Sequence, residues 1–106
     1  MANQIDKLPP QNLEAEKSVL GSILIDQESI EKVVDILRPD DFYSRQNQLI
    51  YGTMARLLEK NEPIDILTVT NKLAESGELE NAGGPAYLTS LLSFTPTSAH
   101  ILNYGK

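Results

Sequence analysis

The stretch Pro9-Pro10-Gln11-Asn12-Leu13-Glu14-Ala15-Glu16-Lys17-Ser18-Val19-Leu20-Gly21 decides how this chain begins to fold. The two prolines keep the incoming backbone extended, and the Asn12 side chain is placed to accept a hydrogen bond from the free amides of a first helical turn. Glu14 and Glu16 follow where the helix dipole favours negative charge. The stretch therefore predicts a helix that begins at about Leu13.

This first helix is apolar over about half of its circumference when it is drawn at about 100° per residue. The apolar arc consists of Leu13, Ala15, Val19, Leu20, Ile23 and Leu24, and much of the other side carries a stripe of Ser18, Gly21, Ser22 and Ile25. Glycine inside a helix costs roughly 1 kcal/mol relative to alanine, so Gly21 indicates close packing against a second helix. The alternative is a tolerated surface glycine. We expect this to be the central helix of a bundle.

The composition is that of one small domain. The 106 residues suit a single core, and the 41% of hydrophobic residues are enough to build it. Because the chain has no cysteine, it has neither a disulfide framework nor a thiolate metal site, and the lone His100 cannot form an imidazole site. We find neither a secretory signal pattern nor an apolar run near the roughly 18 residues of a membrane span. These features predict a cytoplasmic protein without membrane contact.

The net charge of −6 argues against a nucleic-acid grip. Residues 59–80 hold six acidic side chains against two lysines, so this segment alone contributes −4. Tight DNA or RNA binding normally depends on basic side chains that neutralise phosphates. The sequence therefore disfavours direct, tight binding of nucleic acid.

Cap residues and helix breakers predict further helices along the chain. The second helix is capped by Asp26 and runs to Arg38-Pro39, and the third follows Ser44 and runs to about Lys60. The fourth helix follows Asp65 and ends at Gly77. A short fifth helix follows Gly83-Gly84-Pro85 and runs to Leu92, and a last helix begins at Thr97 or Ser98. The predicted inward residues are Ile30, Val33, Val34, Leu37, Ile50, Met54, Leu57, Leu58, Ile66, Val69 and Leu73, with Tyr51 at the margin and Leu49 exposed. Since no segment alternates with period two, the chain is predicted to be all-α, a compact orthogonal bundle of about five to six short helices.

The polar residues do not form a converging catalytic set. Asp40 and Asp41 are neighbours in a turn, where they are expected to cap and to be solvated. Glu16 lies near the middle of the apolar arc and is expected to reach solvent or to pair with an arginine. His100 is expected at the surface, and Gly83-Gly84 lacks the lysine of a phosphate loop.

No catalytic, cofactor-binding or metal-ligating residue is therefore predicted, and protein–protein contact is the leading class of function. A small all-α enzyme that uses Asp40, Asp41 or Glu16 is one alternative. A helix-turn-helix DNA binder is another, and the acidic charge argues against it.

Five sequence segments carry a family resemblance. They are Pro9-Pro10 with Glu14-Ala15-Glu16-Lys17-Ser18-Val19-Leu20-Gly21, Asp41-Phe42-Tyr43, Pro63-Ile64-Asp65, Gly83-Gly84-Pro85-Ala86-Tyr87-Leu88, and Thr95-Pro96-Thr97-Ser98-Ala99. In this order, from Leu8 to Tyr104, they resemble the N-terminal domain of the bacterial replicative DNA helicase of the DnaB type. The helicase-binding domain of primase, which has a similar helical fold, is the alternative, and the first segment favours the helicase.

The resemblance implies a division of the chain into three parts. Residues 1–8 would be a flexible arm, residues 9–96 the helical helicase domain, and residues 97–106 the start of a helix cut off within a helical hairpin. The rest of such a helicase, a linker and a RecA-like motor, would bind ATP and magnesium and contact DNA. We therefore expect no enzymatic activity from this chain, which would be part of an ATP-dependent helicase.

The resemblance also implies partners. In this family the N-terminal domains pair into a collar above a ring of six motors, and the collar receives the C-terminal domain of primase at the replication fork. A helicase loader or an initiator protein is a further candidate partner. Because the hairpin that supports pairing would be incomplete, we expect this chain to fold but to assemble poorly.

Overall fold

The computed structural model describes residues 12–94, apart from the side chain of Phe94, and this range contains four α-helices, two 3₁₀ helices and no strand. The α-helices are α1 (Leu13–Ile25), α2 (Arg45–Glu59), α3 (Ile66–Glu75) and α4 (Gly84–Phe94), and the 3₁₀ helices are η1 (Gln27–Lys32) and η2 (Pro39–Asp41). The predicted all-α fold is confirmed. The predicted arm over residues 1–8, the last helix and His100 lie outside the described residues.

Helix α1 is the central element, as its sequence predicted, and it packs against α4, η1 and α2. It begins at Leu13, where Asn12 Oδ1 accepts a hydrogen bond from the Ala15 amide at 3.0 Å. Leu20 is fully buried, whereas Leu13 is 42% exposed although it lies on the same apolar arc. The spacing of apolar residues shows which side of a helix faces the core, but it does not show how far along the helix the core extends. The exposure of Leu13 at the start of the helix was therefore not predictable.

The small-residue stripe of α1 is packed over its central part. Gly21 is buried, and Ser22 is 8% exposed with its hydroxyl donating to the Ser18 carbonyl at 2.7 Å. Ile25, which closes the stripe, is exposed. Because Gly21 is buried, the interpretation of a tolerated surface glycine is wrong, whereas close packing of Gly21 against a second helix stays a prediction.

The predicted second helix is a 3₁₀ helix followed by turns. Asp26 caps it as expected, with Oδ1 accepting from the Glu28 amide at 3.1 Å. The Val33 and Val34 amides both donate to the Ile30 carbonyl, so the backbone tightens at this point. The segment is short, and its β-branched residues disfavour a regular α-helix, which explains the tighter geometry.

Helix α2 supplies much of the core. Ser44 caps it, with Oγ accepting from the Asn47 amide at 3.4 Å. Tyr51, which was predicted at the margin, is 1% exposed, and its hydroxyl donates to the Leu37 carbonyl at 2.7 Å. Leu49 was predicted to be exposed, but it is partly buried against the core. Both predictions were wrong. For Tyr51 the reason is the bond to Leu37, which lies in the segment between η1 and η2 and covers this side chain.

Helices α3 and α4 close the bundle. Asp65 and Thr68 form a reciprocal capping pair at the start of α3, with both bonds at 2.9 Å. Gly77 ends α3 with a φ of 75°, in the left-handed region that glycine favours. The contacts of α3 with α2 and α4, and of α4 with α1, complete one core. Its fully or nearly fully buried hydrophobic residues are Leu20, Ile23, Leu24, Ile30, Leu37, Phe42, Ile50, Tyr51, Met54, Leu57, Ile64, Val69, Leu73, Ala82, Leu88 and Leu91.

Replacing Gly21 with leucine tests the packing of α1. Because Gly21 is buried, a leucine side chain overfills the site, and we expect the free energy of unfolding to fall by about 1–3 kcal/mol. Urea unfolding followed by circular dichroism measures this change.

Gly52→Ala is the matched control for Gly21→Leu. Gly52 lies inside α2, and the nearest neighbours of a Cβ atom there would be Arg56 Nη1 and Pro39 Cγ, both at 3.8 Å, so it fits without a clash. Alanine should stabilise the helix by about 0.5–1 kcal/mol. An unchanged unfolding midpoint for Gly21→Leu would show that the stripe is not packed.

Candidate functional site

A buried carboxylate is the main polar feature of the described residues. Glu16 lies on the buried side of α1, between Leu20 and the start of the helix, and it is 0% exposed. We expected this side chain to reach solvent or to pair with an arginine, and that expectation was wrong. The apolar arc carries Glu16 into the interior, where the turn before α2 supplies hydrogen-bond donors instead of water.

Three N–H donors converge on the Glu16 carboxylate. Oε2 accepts from the Tyr43 amide at 2.5 Å, and Oε1 accepts from the Ser44 amide at 3.3 Å and from Asn47 Nδ2 at 2.8 Å. Burial of a carboxylate is costly unless its oxygens are hydrogen-bonded, and donors to an ionised acceptor are the strong kind. Glu16 thus ties α1 to the backbone that enters α2.

Asn47 extends this arrangement to α4. Its side chain is 0% exposed, and its Oδ1 accepts from the Tyr87 hydroxyl at 2.5 Å while its Nδ2 donates to Glu16. We call the set formed by Glu16, the Tyr43 and Ser44 amides, Asn47 and Tyr87 the Glu16 network. It joins α1, α2 and α4 through side chains that are far apart in sequence.

The Tyr87 ring is held from two further directions. Lys17 Nζ lies 5.9 Å from the ring centroid, within the range of a cation–π contact. Gly83 has a φ of 102°, and a Cβ at this position would lie 2.8 Å from Tyr87 Cβ and Cγ. The Tyr87 pKa is raised from its ordinary value, chiefly by burial, and the negative charge of Glu16 adds to the rise. The phenol therefore keeps its proton and remains a donor.

The other acidic candidates have separate surroundings. Asp41 Oδ2 accepts from the Arg38 amide at 2.8 Å and thereby closes η2, while Asp40 is exposed. Their roles in capping and solvation agree with the sequence interpretation. Gly83-Gly84 forms a turn into α4, as predicted, and both glycines have a positive φ, but only Gly83 lies close against Tyr87.

Sequence reasoning did not find Asn47 or Tyr87. One signal for Asn47 was present, because Asn47, Ile50, Tyr51 and Met54 have the i, i+3, i+4, i+7 spacing of one helix face, so a polar residue interrupts an apolar stripe. No local pattern marked Tyr87 as its partner. The two residues are 40 positions apart, and their contact arises only when α4 packs in the bundle.

The surface of the described residues carries several exposed hydrophobic side chains. Tyr43 is 61% exposed and Leu67 is 67% exposed, and smaller exposed fractions are found at Leu13, Ile25 and Ile36. Single exposed hydrophobic residues are common in globular proteins, so they mark possible contacts without defining a partner.

Residues 12–94 contain neither a candidate metal site nor a membrane-spanning helix. Within that range no three His, Cys, Asp or Glu side chains are grouped as a metal site requires. No helix in the same range is long and apolar enough to cross a bilayer.

The fold and sequence together define a helicase N-terminal domain. Residues 8–106 match the family model described as the DnaB-like helicase N terminal domain, and the chain belongs to this family. The resemblance derived from the five sequence segments is confirmed. The primase domain considered as an alternative is not the family that the chain matches.

The relatives are replicative helicases. The chain is 45% identical over 101 residues to the replicative DNA helicase DnaC of Bacillus subtilis, which covers 95% of this chain and 22% of that protein. It is 41% identical over 103 residues to the replicative DNA helicase DnaB of Rhodothermus marinus, and the match covers 97% of this chain and 11% of that protein. The chain thus spans about a fifth or less of the length of these two relatives.

A solved structure agrees in fold as well as in sequence. The crystal structure of the N-terminal domain of DnaB helicase from Mycobacterium tuberculosis superposes with a TM-score of 0.81 at 42% identity, covering 87% of this chain and 66% of that chain.

Replacing Glu16 with glutamine tests the buried network. Three donors face the two carboxylate oxygens, and glutamine has one oxygen and one NH₂ group, so its NH₂ opposes a donor in either orientation. We expect the free energy of unfolding to fall by about 1–3 kcal/mol, the usual cost of a buried group without its partner. Chemical denaturation at neutral pH measures the loss.

Glu14→Gln is the matched control, because Glu14 lies on the same helix and is exposed. The same charge is removed, but the expected loss is only about 0.5 kcal/mol or less. Equal losses for the two variants would contradict a specific role for the Glu16 carboxylate.

Tyr51 provides a prediction for alkaline pH. Burial raises the pKa of Tyr51 from 10.0 to about 12, and the negative charges of Asp41 and Asp35 add to this rise. The folded state thus favours the neutral phenol. The stability that the neutral Tyr51 phenol contributes is fully present below its pKa in the unfolded state. It is lost as the pH rises through its pKa in the folded state.

Tyr51→Phe should therefore flatten the decline in stability between pH 10.0 and about 12, since phenylalanine has no proton to lose. One such proton contributes up to about 1.4 kcal/mol per pH unit. Urea unfolding at a series of pH values measures both slopes, and identical slopes would contradict the assignment.

Proposed function

We propose that this domain is part of the N-terminal collar of a hexameric bacterial replicative DNA helicase, where it pairs with other copies and receives primase. The observation that carries the proposal is the family match over residues 8–106. In this proposal, ATP-dependent unwinding belongs to a RecA-like motor domain of a longer helicase, which uses ATP and magnesium. The domain itself acts at the replication fork without catalysing a reaction.

The physical character of the domain supports a scaffold role. Its helices share one continuous core, and the Glu16 network adds buried hydrogen bonds between α1, α2 and α4. A rigid body of this kind presents its surface to a partner with little loss of conformational freedom, which favours binding. The proposed domain extends over residues 9–96, with the following segment contributing to self-association.

The surface charge supports protein docking more than DNA binding. The net charge is −6, and residues 59–80 contribute −4 of it. A phosphate backbone is repelled by such a surface, whereas a protein partner with basic groups is attracted to it. DNA contact is therefore assigned to other parts of the helicase.

Titration with the C-terminal helicase-binding domain of a bacterial primase tests the docking proposal. We expect saturable binding in isothermal titration calorimetry, with the affinity falling as salt is added because charged groups contribute. Titration of the same primase domain into buffer without this chain is the control and should give no saturable signal.

Absence of a signal up to about 100 μM of the helicase-binding domain, roughly −5.5 kcal/mol of binding free energy, would contradict docking by this domain. A DNA gel shift at physiological salt would instead support the alternative of a direct DNA binder. Tyr43→Ala and Leu67→Ala test two exposed positions for their contribution to any binding, since exposed aromatic and aliphatic residues often carry most of the energy of an interface.

A further inference from the structure

We propose that the Glu16 network is a mechanical relay that couples the position of α4 to the backbone position of the exposed residue Tyr43. Tyr87 on α4 is one end of this relay, and the Tyr43 amide is the other. Such a relay requires only the hydrogen-bond geometry of the described residues and does not depend on the proposed collar function.

The relay is a continuous chain of short hydrogen bonds. The Tyr87 hydroxyl donates to Asn47 Oδ1 at 2.5 Å, Asn47 Nδ2 donates to Glu16 Oε1 at 2.8 Å, and the Tyr43 amide donates to Glu16 Oε2 at 2.5 Å. Hydrogen bonds in such a chain polarise one another, and the effect is stronger where the surroundings exclude water. A change at Tyr87 therefore reaches the carboxylate through a single residue.

The Asn47 side-chain amide connects the two ends of the relay, because it bonds Tyr87 through its oxygen and Glu16 through its nitrogen. Its oxygen and nitrogen belong to one planar group, so a rotation that follows the Tyr87 hydroxyl also moves the nitrogen away from Glu16. The opposite orientation of this amide would place NH₂ against the phenol and oxygen against the carboxylate, which leaves one fitting arrangement. Because Asn47 and Glu16 are both 0% exposed, water does not replace a lost bond at either residue.

The two ends of the relay differ in exposure. Tyr87 is half-buried and held in place by Gly83 and Lys17, whereas the Tyr43 side chain is 61% exposed on a backbone fixed by Glu16. An exposed aromatic residue on a fixed backbone is well suited to contact another protein. The relay thus links the packing of α4 to the geometry of a surface residue.

Hydrogen exchange measured by NMR on the full 106-residue chain tests the relay. In Tyr87→Phe the ring remains and only the hydroxyl bond is lost. We expect the Tyr43 and Ser44 amides to exchange about fivefold faster, the factor that corresponds to one ordinary hydrogen bond. The rates are expressed relative to the Leu73 amide of α3, a buried position outside the network, so that a change in global stability cancels.

Ser22→Ala is the matched control. It deletes one hydroxyl bond on α1, to the Ser18 carbonyl at 2.7 Å, and it does not touch the network. The relative exchange of Tyr43 and Ser44 should stay unchanged in this variant. The proposal is overturned if Tyr87→Phe leaves the relative rates unchanged, or if Ser22→Ala raises them by the same factor.

Discussion

The described structure depends on the burial of one carboxylate together with its donors. A carboxylate removed from water needs hydrogen bonds to both oxygens, and Glu16 obtains them only if the turn at Tyr43 and Ser44 lies against α1 and if Asn47 points inward. These requirements fix the approach of α2 to α1. The surrounding apolar core supplies most of the free energy of folding, and the network decides which of the possible apolar packings satisfies the buried polar groups.

The helix starts were the most predictable part of the fold. Asn12, Asp26, Ser44 and Asp65 all accept the capping hydrogen bonds that their positions in the sequence predicted. Capping is a local interaction over two or three residues, so the sequence contains nearly all of the information it requires. One predicted α-helix did not form as such. After Asp26 the segment is short and rich in β-branched residues, and it forms a 3₁₀ helix.

The surroundings of individual side chains were less predictable, because they depend on elements that are distant in sequence. Glu16 was misjudged because its donors are 27 to 31 residues away, and Tyr51 was misjudged because the chain around Leu37 covers it. Leu13 and Leu49 show the same limit for apolar residues. Family membership was recognisable from motifs, although those motifs did not reveal that Glu16 and Tyr87, each within a recognised segment, meet through Asn47.

Gly83 also restricts how the sequence of this domain can diverge. Any side chain at position 83 would occupy the space of the Tyr87 ring, in addition to straining a backbone with a φ of 102°. A descendant sequence that gains a side chain there must shift the ring or replace it, and either change disturbs the bond to Asn47. Positions 83, 87, 47 and 16 are therefore expected to change together over evolutionary time, although only the first is a turn residue.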